Sequence, residues 1–274
     1  MTKLNTTLSK AWKLFTKNKK YLALEVLIDV LFLAAILYTT MLIFVPSAET
    51  VIKAGDALQA QMAEIPESEI YNLENIAMQN EEFMTAYRQL LKYIIYFFTI
   101  MTCLFMAFRG PLWYITHKKL NRADPKVFAW KFPLLALFWA FISGIILVTY
   151  GVLASSAEMP LPLVSGKMSN ALALFALLVA AYFANISFAL TPGKQALKSA
   201  FIMGVKNAKT LIPAMLANAL IIFVATLLPF NIIWTLPKST QTTIIFLSSI
   251  VIVTIPALAF ARLHTTMAIW QKKQ

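Results

Sequence analysis

Charged side chains are scarce in this chain. They make up 13% of its 274 residues, whereas an average soluble globular protein has about 25%. Hydrophobic side chains account for 59%, and the mean hydropathy is +0.71. The polar surface that remains is too small to cover a water-soluble globule of this size, so lipid must cover the rest. The composition therefore excludes an ordinary soluble domain and predicts a single membrane domain that covers residues 1–274.

Cysteine and histidine are also rare. A single cysteine excludes an internal disulfide, and because Cys103 lies in an apolar run we expect a buried thiol. The two histidines, His117 and His264, lack the HExxH spacing of a zinc site. Neither a Walker phosphate-binding loop nor a GxSxG nucleophile elbow is present. We therefore predict no metal ion, no cofactor and no catalytic residue that a motif identifies.

The chain does contain six long apolar runs. Each is near the length of about 20 residues that a helix needs to cross a bilayer. The alternating strands of about ten residues that form a membrane barrel do not occur. The runs are residues 21–45, 90–110, 132–155, 169–190, 211–235 and 242–262. The sequence thus predicts an all-α polytopic membrane protein with six transmembrane helices.

Basic residues are concentrated on one side of these runs. When alternate connecting segments are compared, 19 of the 24 lysines and arginines fall in the segments that include both termini. Segments rich in lysine and arginine stay on the cytoplasmic side during membrane insertion. We therefore predict a multi-pass protein of the plasma membrane with cytoplasmic N- and C-termini.

A cleaved signal peptide is the alternative for the first run. Lysines precede it, and Pro46-Ser47-Ala48 resembles a cleavage region. However, the run is longer than the apolar core of a signal peptide, and Glu25 and Asp29 interrupt it. Cleavage would leave five spans and an N-terminus outside the cell.

The formal net charge of +12 raises the question of a charged partner. Because the lysines flank apolar runs, an anionic membrane surface explains them more simply than nucleic acid does. We expect the lipid bilayer, with its anionic inner-leaflet lipids, as the partner of these charges. We expect no nucleic-acid partner, and a protein partner or a second copy of the chain stays open.

Residues 1–20 have the pattern of an interfacial helix. Apolar side chains recur at spacings of three and four, and lysines occupy much of the remaining surface. The apolar positions are Leu4, Leu8, Ala11, Trp12 and Phe15. Such an amphipathic helix lies in the headgroup layer with its apolar face toward the lipid.

The longest connecting segment is an acidic extracytoplasmic loop, residues 46–89. Its apolar spacing predicts two short helices that flank Pro66, with the second continuing into the second span. The loop is either a solvated cap or a surface that docks a partner or attracts cations.

A short lead-in sequence recurs before three of the spans. Its copies are Ala11-Trp12, Ala129-Trp130 and Ala200-Phe201. Asn18 and Asn207, which follow the first and third copies at the same spacing, also align. We predict three hairpin repeats in one orientation, each with a basic aromatic lead-in. Chance similarity is the alternative, because lysines and aromatic residues belong at membrane interfaces anyway.

Two of these lead-ins resemble a known family. The stretches LSKAWKLFTKN before the first span and ALKSAFIMGVKN before the fifth are similar to the membrane domain that accompanies some glycerophosphodiester phosphodiesterases. They are also similar to related uncharacterised six-span families. The resemblance implies a six-helix membrane domain of unsettled role. It implies no catalytic residues, because this chain has no room for the soluble barrel that carries the phosphodiesterase site.

Two carboxylates interrupt the first span. Glu25 and Asp29 are four residues apart, so they share one helix face about 6 Å apart along the axis. An ionised acid at the bilayer centre costs roughly 2.5–3.5 kcal/mol, and these shallower ones cost less. They are either a proton or cation site, or structural partners of Arg109, Arg262 or His264 near the same leaflet.

Amides in later spans extend this candidate polar site. Asn185 lies in the fourth span and Asn218 in the fifth. A buried amide bonded across a helix interface contributes about 0.6–2 kcal/mol, and coordination of a solute is the alternative. The same part of the chain has three prolines that should kink the last two spans and free carbonyls, namely Pro213, Pro229 and Pro256.

The leading functional hypothesis is a non-catalytic accessory or assembly protein. It follows from the missing catalytic motifs and the few deep charges. The first alternative is a small-solute or ion carrier that uses Glu25, Asp29 and Asn218. A carrier requires a connected polar cavity between the first, fourth and fifth spans.

A lipid-acting enzyme at the cytoplasmic face is the second alternative. It would use His117 or His264 beside Asp124 as a general acid or base. That chemistry requires these groups within hydrogen-bond reach of each other and of a headgroup pocket.

Overall fold

The structure is a computed structural model that describes residues 2–63, 80–122, 124–156, 164–193, 195–235 and 240–273. Within these ranges it contains helices and no strand. Six helical stretches are long and apolar enough to cross a membrane, which confirms the all-α polytopic class and the six predicted spans. The α-helices are α1 (Thr2–Lys17), α2 (Lys19–Ala63), α3 (Glu81–Lys119), α4 (Pro125–Ser156), α5 (Gly166–Ala189), α6 (Ala196–Lys206), α7 (Ala208–Thr235), α8 (Thr240–Ser249) and α9 (Ile255–Lys273), with a π-helical segment, Ile250–Thr254, between α8 and α9.

The first two span helices are longer than the apolar runs that predicted them. α2 continues through Pro46 to Ala63, and α3 begins at Glu81, inside the segment that we predicted as an outer loop. The predicted ends followed hydrophobicity, whereas residues 51–63 include four alanines and two glutamines, which favour helix without long apolar side chains. The predicted helix before Pro66 is therefore the end of α2. Pro66 itself lies outside the described residues.

The chain divides into two compact units. The first contains Met1–Val30 and Phe105–Gln274, and the second contains Leu31–Leu104. In the second unit the most apolar part of α3 has none of its residues buried within the protein. Cys103 is exposed there, so the expectation of a buried thiol was wrong. An apolar sequence around a cysteine indicates lipid contact as well as protein packing, and the sequence does not separate the two.

The core of the first unit lies where α3, α5 and α9 end and where α4, α6 and α7 begin. α4 and α5 form an antiparallel pair, and the aromatic rings of Phe132 and Phe188 meet between them with centroids 5.0 Å apart. Trp139 of α4 donates from Nε1 to the Ser187 hydroxyl of α5 at 2.8 Å. The side chains that form this core include Trp113, Phe128, Phe132, Leu135, Trp139, Ile186, Leu190, Leu211 and Ile269.

The turn from α3 to α4 is specified by local sequence. Asn121 has φ 54°, in the left-handed region that asparagine tolerates, and the amide of Arg122 donates to the His117 carbonyl at 3.0 Å. This is the Schellman arrangement that ends many helices. Asp124 then caps α4 by accepting from the amide of Lys126 at 2.9 Å, and proline occupies the first helical position. The turn holds the end of α3 at a defined point.

α1 packs along the last helix. The rings of Phe15 and Phe260 lie edge to face with centroids 5.6 Å apart, and Ala11 is fully buried beside them. The Thr7 hydroxyl donates to the side chain of Gln271 at 2.7 Å. One face of α1 is therefore held by protein contacts. The contact of its apolar side chains with the headgroup layer stays a prediction.

Asparagine marks the break in two pairs of consecutive helices. α1 gives way to α2 at Asn18, and α6 gives way to α7 at Asn207. Each asparagine carbonyl accepts the amide four residues later, from Leu22 at 3.1 Å and from Leu211 at 3.0 Å. The middle lead-in lies inside the continuous helix α4. Two of the three predicted copies thus share a local structure, and the three-unit repeat stays a prediction.

A hydrogen bond between helices replaces one that a proline removes. Pro229 has no amide hydrogen to donate to the carbonyl of Ala225, four residues earlier in α7. The Thr254 hydroxyl of the π-helical segment donates to that carbonyl at 3.1 Å. Pro256 likewise cannot donate to Ile252, and the chain before it adopts the wider π-helical bonding. Thr254 therefore joins α7 to the last span where both helices are irregular.

Candidate functional site

Asp29 lies between two arginines. Its Oδ1 accepts a hydrogen bond from Nη1 of Arg109 in α3, and its Oδ2 lies 3.2 Å from Nη2 of Arg262 in α9. The side chain of Asp29 is 3% exposed. One carboxylate thus connects α2 to two other helices through both of its oxygens.

Glu25 makes a second buried ion pair, one helical turn before Asp29. Its Oε2 accepts from Nζ of Lys119 at 2.7 Å, and its Oε1 lies 3.3 Å from the hydroxyl of Thr116. The side chains of Glu25 and Lys119 are 1% and 0% exposed. We call the set Glu25, Asp29, Arg109, Thr116, Lys119 and Arg262 the ion-pair cluster.

Three of the four carboxylate oxygens of the ion-pair cluster accept from a cationic side chain. The fourth, Oε1 of Glu25, lies near the Thr116 hydroxyl, which also lies 2.9 Å from the Leu112 carbonyl of its own helix. Because Glu25 and Asp29 share one face of α2, both reach the end of α3 at once. Pairing of this kind offsets the cost of burying a charge, whereas an unpaired buried charge is very costly. The contacts of the cluster connect three helices.

The structure therefore brings together four of the six residues proposed from the sequence. Arg109 and Arg262 both contact Asp29. Sequence reasoning missed Lys119 and Thr116. Arg109, Thr116 and Lys119 are spaced seven and three apart, which places them near one helix face, and this periodicity was the available signal.

Asn218 belongs to a neighbouring hydrogen-bond network rather than to the ion-pair cluster. Its Nδ2 donates to the Ala261 carbonyl at 3.2 Å and to the Thr265 hydroxyl at 2.7 Å. Its Oδ1 therefore faces Nδ1 of His264, 2.8 Å away, and that ring nitrogen must donate. Among the described residues, the buried Nε2 atom of His264 has no hydrogen-bond partner. These contacts join α7 to α9.

Asn185 lies apart from both groups. Its side chain is exposed and donates to the Ala181 carbonyl of its own helix at 2.8 Å. The structure therefore does not bring Asn185 together with Glu25, Asp29 or Asn218. A single polar residue in an apolar helix gives no sign in the sequence of which face it occupies.

The contrast between the two asparagines gives a matched test. Replacing Asn218 with leucine should lower the free energy of unfolding by about 1–3 kcal/mol, because His264 and Thr265 lose their partner in a buried site. Asn185→Leu should change it by no more than about 0.5 kcal/mol. Titration of both variants with SDS in mixed micelles, followed by tryptophan fluorescence, measures the difference. Equal stabilities would show that the Asn218 contacts do not hold α7 to α9.

His117 and Asp124 have other partners. His117 Nε2 lies 3.4 Å from the Phe188 carbonyl, so this nitrogen is the donor. Asp124 is exposed and caps α4. His264 faces Asn218. In the described part of the chain, each of these groups therefore has a structural contact of its own.

The carboxyl end of α5 is held by side chains from three other helices. The last carbonyls of a helix have no donor within it. Here His117 of α3 reaches the Phe188 carbonyl, and Trp270 Nε1 of α9 donates to the Ala189 carbonyl at 2.9 Å. In the turn that follows α5, Lys131 Nζ of α4 donates to the Gly193 carbonyl at 2.8 Å. A cation at this end is also favoured by the helix dipole.

Two cavities stand out in the described part of the first unit. The larger has a volume of about 740 Å³ and lies among α1, α7, the π-helical segment and α9. The smaller, about 280 Å³, lies between α3 and α4. Neither lining includes Glu25, Asp29 or Asn218. These three side chains are packed against the partners described above.

No protein-family model, curated protein or solved structure matches this chain. The class that the fold and the site define is an all-α, multi-pass membrane protein with a buried ion-pair cluster at one end of its spans.

Proposed function

We propose that this protein is a non-catalytic accessory or assembly protein of the plasma membrane. In this proposal both termini are cytoplasmic, which is supported by the 19 of 24 basic residues on their side of the spans. The ion-pair cluster then lies near the inner leaflet and serves to hold the helices together. A protein partner or a second copy of the chain would complete the assembly.

The observation that carries this proposal is the pairing of Glu25 and Asp29 with cationic side chains from other helices. These partners are Lys119, Arg109 and Arg262. A proton or cation carrier must exchange these contacts for its solute in every cycle. Breaking one partner from a buried ion pair costs about 3–5 kcal/mol. That cost favours a fixed structural cluster over an exchanging site.

A carrier is the second candidate, because ionisable residues inside membrane spans are functional in many transporters. The two functions differ in a flux measurement. Purified protein in proteoliposomes is given a proton gradient or a potassium gradient, and an enclosed pH-sensitive or potassium-sensitive dye reports flux. We expect the wild type to match empty liposomes. We expect the double variant Glu25→Gln/Asp29→Asn to show the same flux but lower abundance in the membrane.

Wild-type flux above that of empty liposomes, lost in the double variant, would establish the carrier and overturn the accessory role. The wild-type measurement decides the question even if the variant does not fold. Asp56→Asn is the matched control, because Asp56 is an exposed carboxylate on the same helix. It should leave both abundance and flux unchanged.

A further inference from the structure

The larger cavity has walls from three parts of the first unit. They are α1, the middle of α7, and the stretch from the π-helical segment into α9. Its lining comprises Leu8, Ser9, Trp12, Phe15, Ile221, Ala225, Ile252, Val253, Pro256, Ala257 and Phe260. Only Ser9 and Trp12 bring polar side-chain atoms, and both belong to α1. The lining is therefore mostly apolar, and its polar side-chain atoms are on one wall.

The irregular backbone of the last span creates this space. Pro256 and the π-helical turn before it interrupt the regular α-helix. The small side chains of Ala225 and Ala257 face the gap. The hydrogen bond from the Thr254 hydroxyl to the Ala225 carbonyl joins α7 to the last span at the edge of this gap. The cavity is thus built into the packing of two spans.

The size of the cavity selects a slender occupant. An α-helix with side chains is at least about 10 Å wide and rises 5.4 Å per turn, so one turn fills roughly 420 Å³. A volume of about 740 Å³ holds less than two such turns. A hydrocarbon chain can lie fully inside this space, whereas a partner helix could place only some of its side chains in it.

The surroundings of the cavity supply lipid and positive charge. Ile252 lines the cavity and is 71% exposed on a helix that is apolar enough to cross a membrane, so this wall meets lipid tails. On the α1 wall, Lys10 and Lys13 directly follow the lining residues Ser9 and Trp12, and both lysines are exposed. An exposed lysine near the membrane contributes about 1 kcal/mol to the binding of an anionic surface.

We propose that this cavity binds one anionic phospholipid, with an acyl chain among α1, α7 and α9 and the headgroup phosphate at Lys10 and Lys13. Trp12 lies where chain and headgroup meet, as an amphipathic indole at a membrane interface does. A lipid bound here would contact α1 and two spans at once. This site therefore gives α1 a function in lipid binding, separate from the ion-pair cluster. This proposal does not rest on the accessory function.

The test uses phosphatidylglycerol brominated on one acyl chain, added to the full-length protein in detergent micelles. Bromine quenches tryptophan fluorescence on contact, and the difference between wild type and Trp12→Phe gives the Trp12 signal. We expect Trp12 to be quenched. Ala257→Leu, which fills the cavity, should raise the lipid concentration for half-maximal quenching of Trp12 by about tenfold, because the added carbons exclude part of the acyl chain. Ala219→Leu, on an exposed position of α7, is the matched control.

Equal quenching in Ala257→Leu and Ala219→Leu would overturn the proposal, because Trp12 would then meet only the general lipid layer. Ser9→Leu fills the same cavity from α1 and replaces Ala257→Leu if that variant does not elute as a monodisperse protein. A second polypeptide that copurifies in equal amount and shields Trp12 from brominated lipid would also overturn it.

The headgroup is tested separately. Brominated phosphatidylcholine should need a several-fold higher concentration than phosphatidylglycerol for half-maximal quenching of Trp12. The double variant Lys10→Gln/Lys13→Gln should remove that difference, and Lys206→Gln/Lys209→Gln, two exposed lysines away from the cavity lining, should keep it. Identical concentrations for the two lipids in the wild type would overturn the anionic part of the proposal.

Discussion

Asp29→Asn is expected to lower the free energy of unfolding by about 3–5 kcal/mol. The substitution keeps the shape of the side chain and removes its charge. Arg109 and Arg262, whose guanidinium groups both contact Asp29, then lie close to each other without a counter-charge. Arg262 has a side chain only 7% exposed, so water cannot replace the lost partner. Unfolding in mixed micelles by SDS titration measures the change, and lower abundance in the membrane should accompany it.

Asp56→Asn is the control for this experiment. It makes the same chemical change on the same helix at an exposed position, and we expect an effect within about 0.5 kcal/mol. If the two variants unfold at the same SDS fraction, then Asp29 does not hold the three helices together. The role that we propose for the ion-pair cluster would then be wrong.

The second large effect is expected at the Glu25–Lys119 pair. Glu25→Gln and Lys119→Met should each destabilise the protein by about 3 kcal/mol or more, because each leaves a buried charge without its partner. The double variant should cost less than the sum of the two by about 1–3 kcal/mol, since neither charge remains. The same SDS titration, applied as a double-mutant cycle, gives this coupling energy.

Lys118→Met separates the pair from a general effect of removing a lysine. Lys118 precedes Lys119 in the sequence but is exposed. Lys118→Met should therefore change the free energy of unfolding little, whether it is made in the wild type or in the Glu25→Gln variant. The coupling would be falsified if the destabilisations by Glu25→Gln and Lys119→Met simply added in the double variant, as we expect for Glu25→Gln with Lys118→Met.

Both experiments concern contacts that join distant parts of the chain. Glu25 and Asp29 lie near its beginning, Arg109 and Lys119 near its middle, and Arg262 near its end. Because the cluster joins three helices, variants that break it should lower the amount of folded protein.

Several features of the site could be predicted from the sequence. The spacing of Glu25 and Asp29 placed them on one face, and two nearby arginines were identified as partners at the same end of the bundle. Lys119 could not be distinguished from Lys118, because both are lysines in the same helical turn. A difference of one position, about 100° around a helix, decides between a buried ion pair and an exposed charge.

The two asparagines show the same limit. Asn185 and Asn218 each interrupt an apolar span, and both were proposed for one polar site. The structure places one on the outside of α5 and the other between α7 and α9. In lipid both faces of a helix are apolar, so the hydrophobic pattern that identifies the inner face in a soluble protein is missing. The face of a span is consequently the weakest part of such a prediction.

The sequence by itself determined the class of the protein, the number of spans and the helical form of the backbone. A bilayer leaves the backbone no other way to satisfy its hydrogen bonds over an apolar run of about 20 residues. Only the tertiary structure decided which polar groups meet, how far the helices extend beyond the apolar runs, and where two spans separate to leave a cavity. Those features depend on contacts between residues that are far apart in the sequence, such as Arg262 with Asp29 at a separation of 233 positions, and no local pattern predicts them.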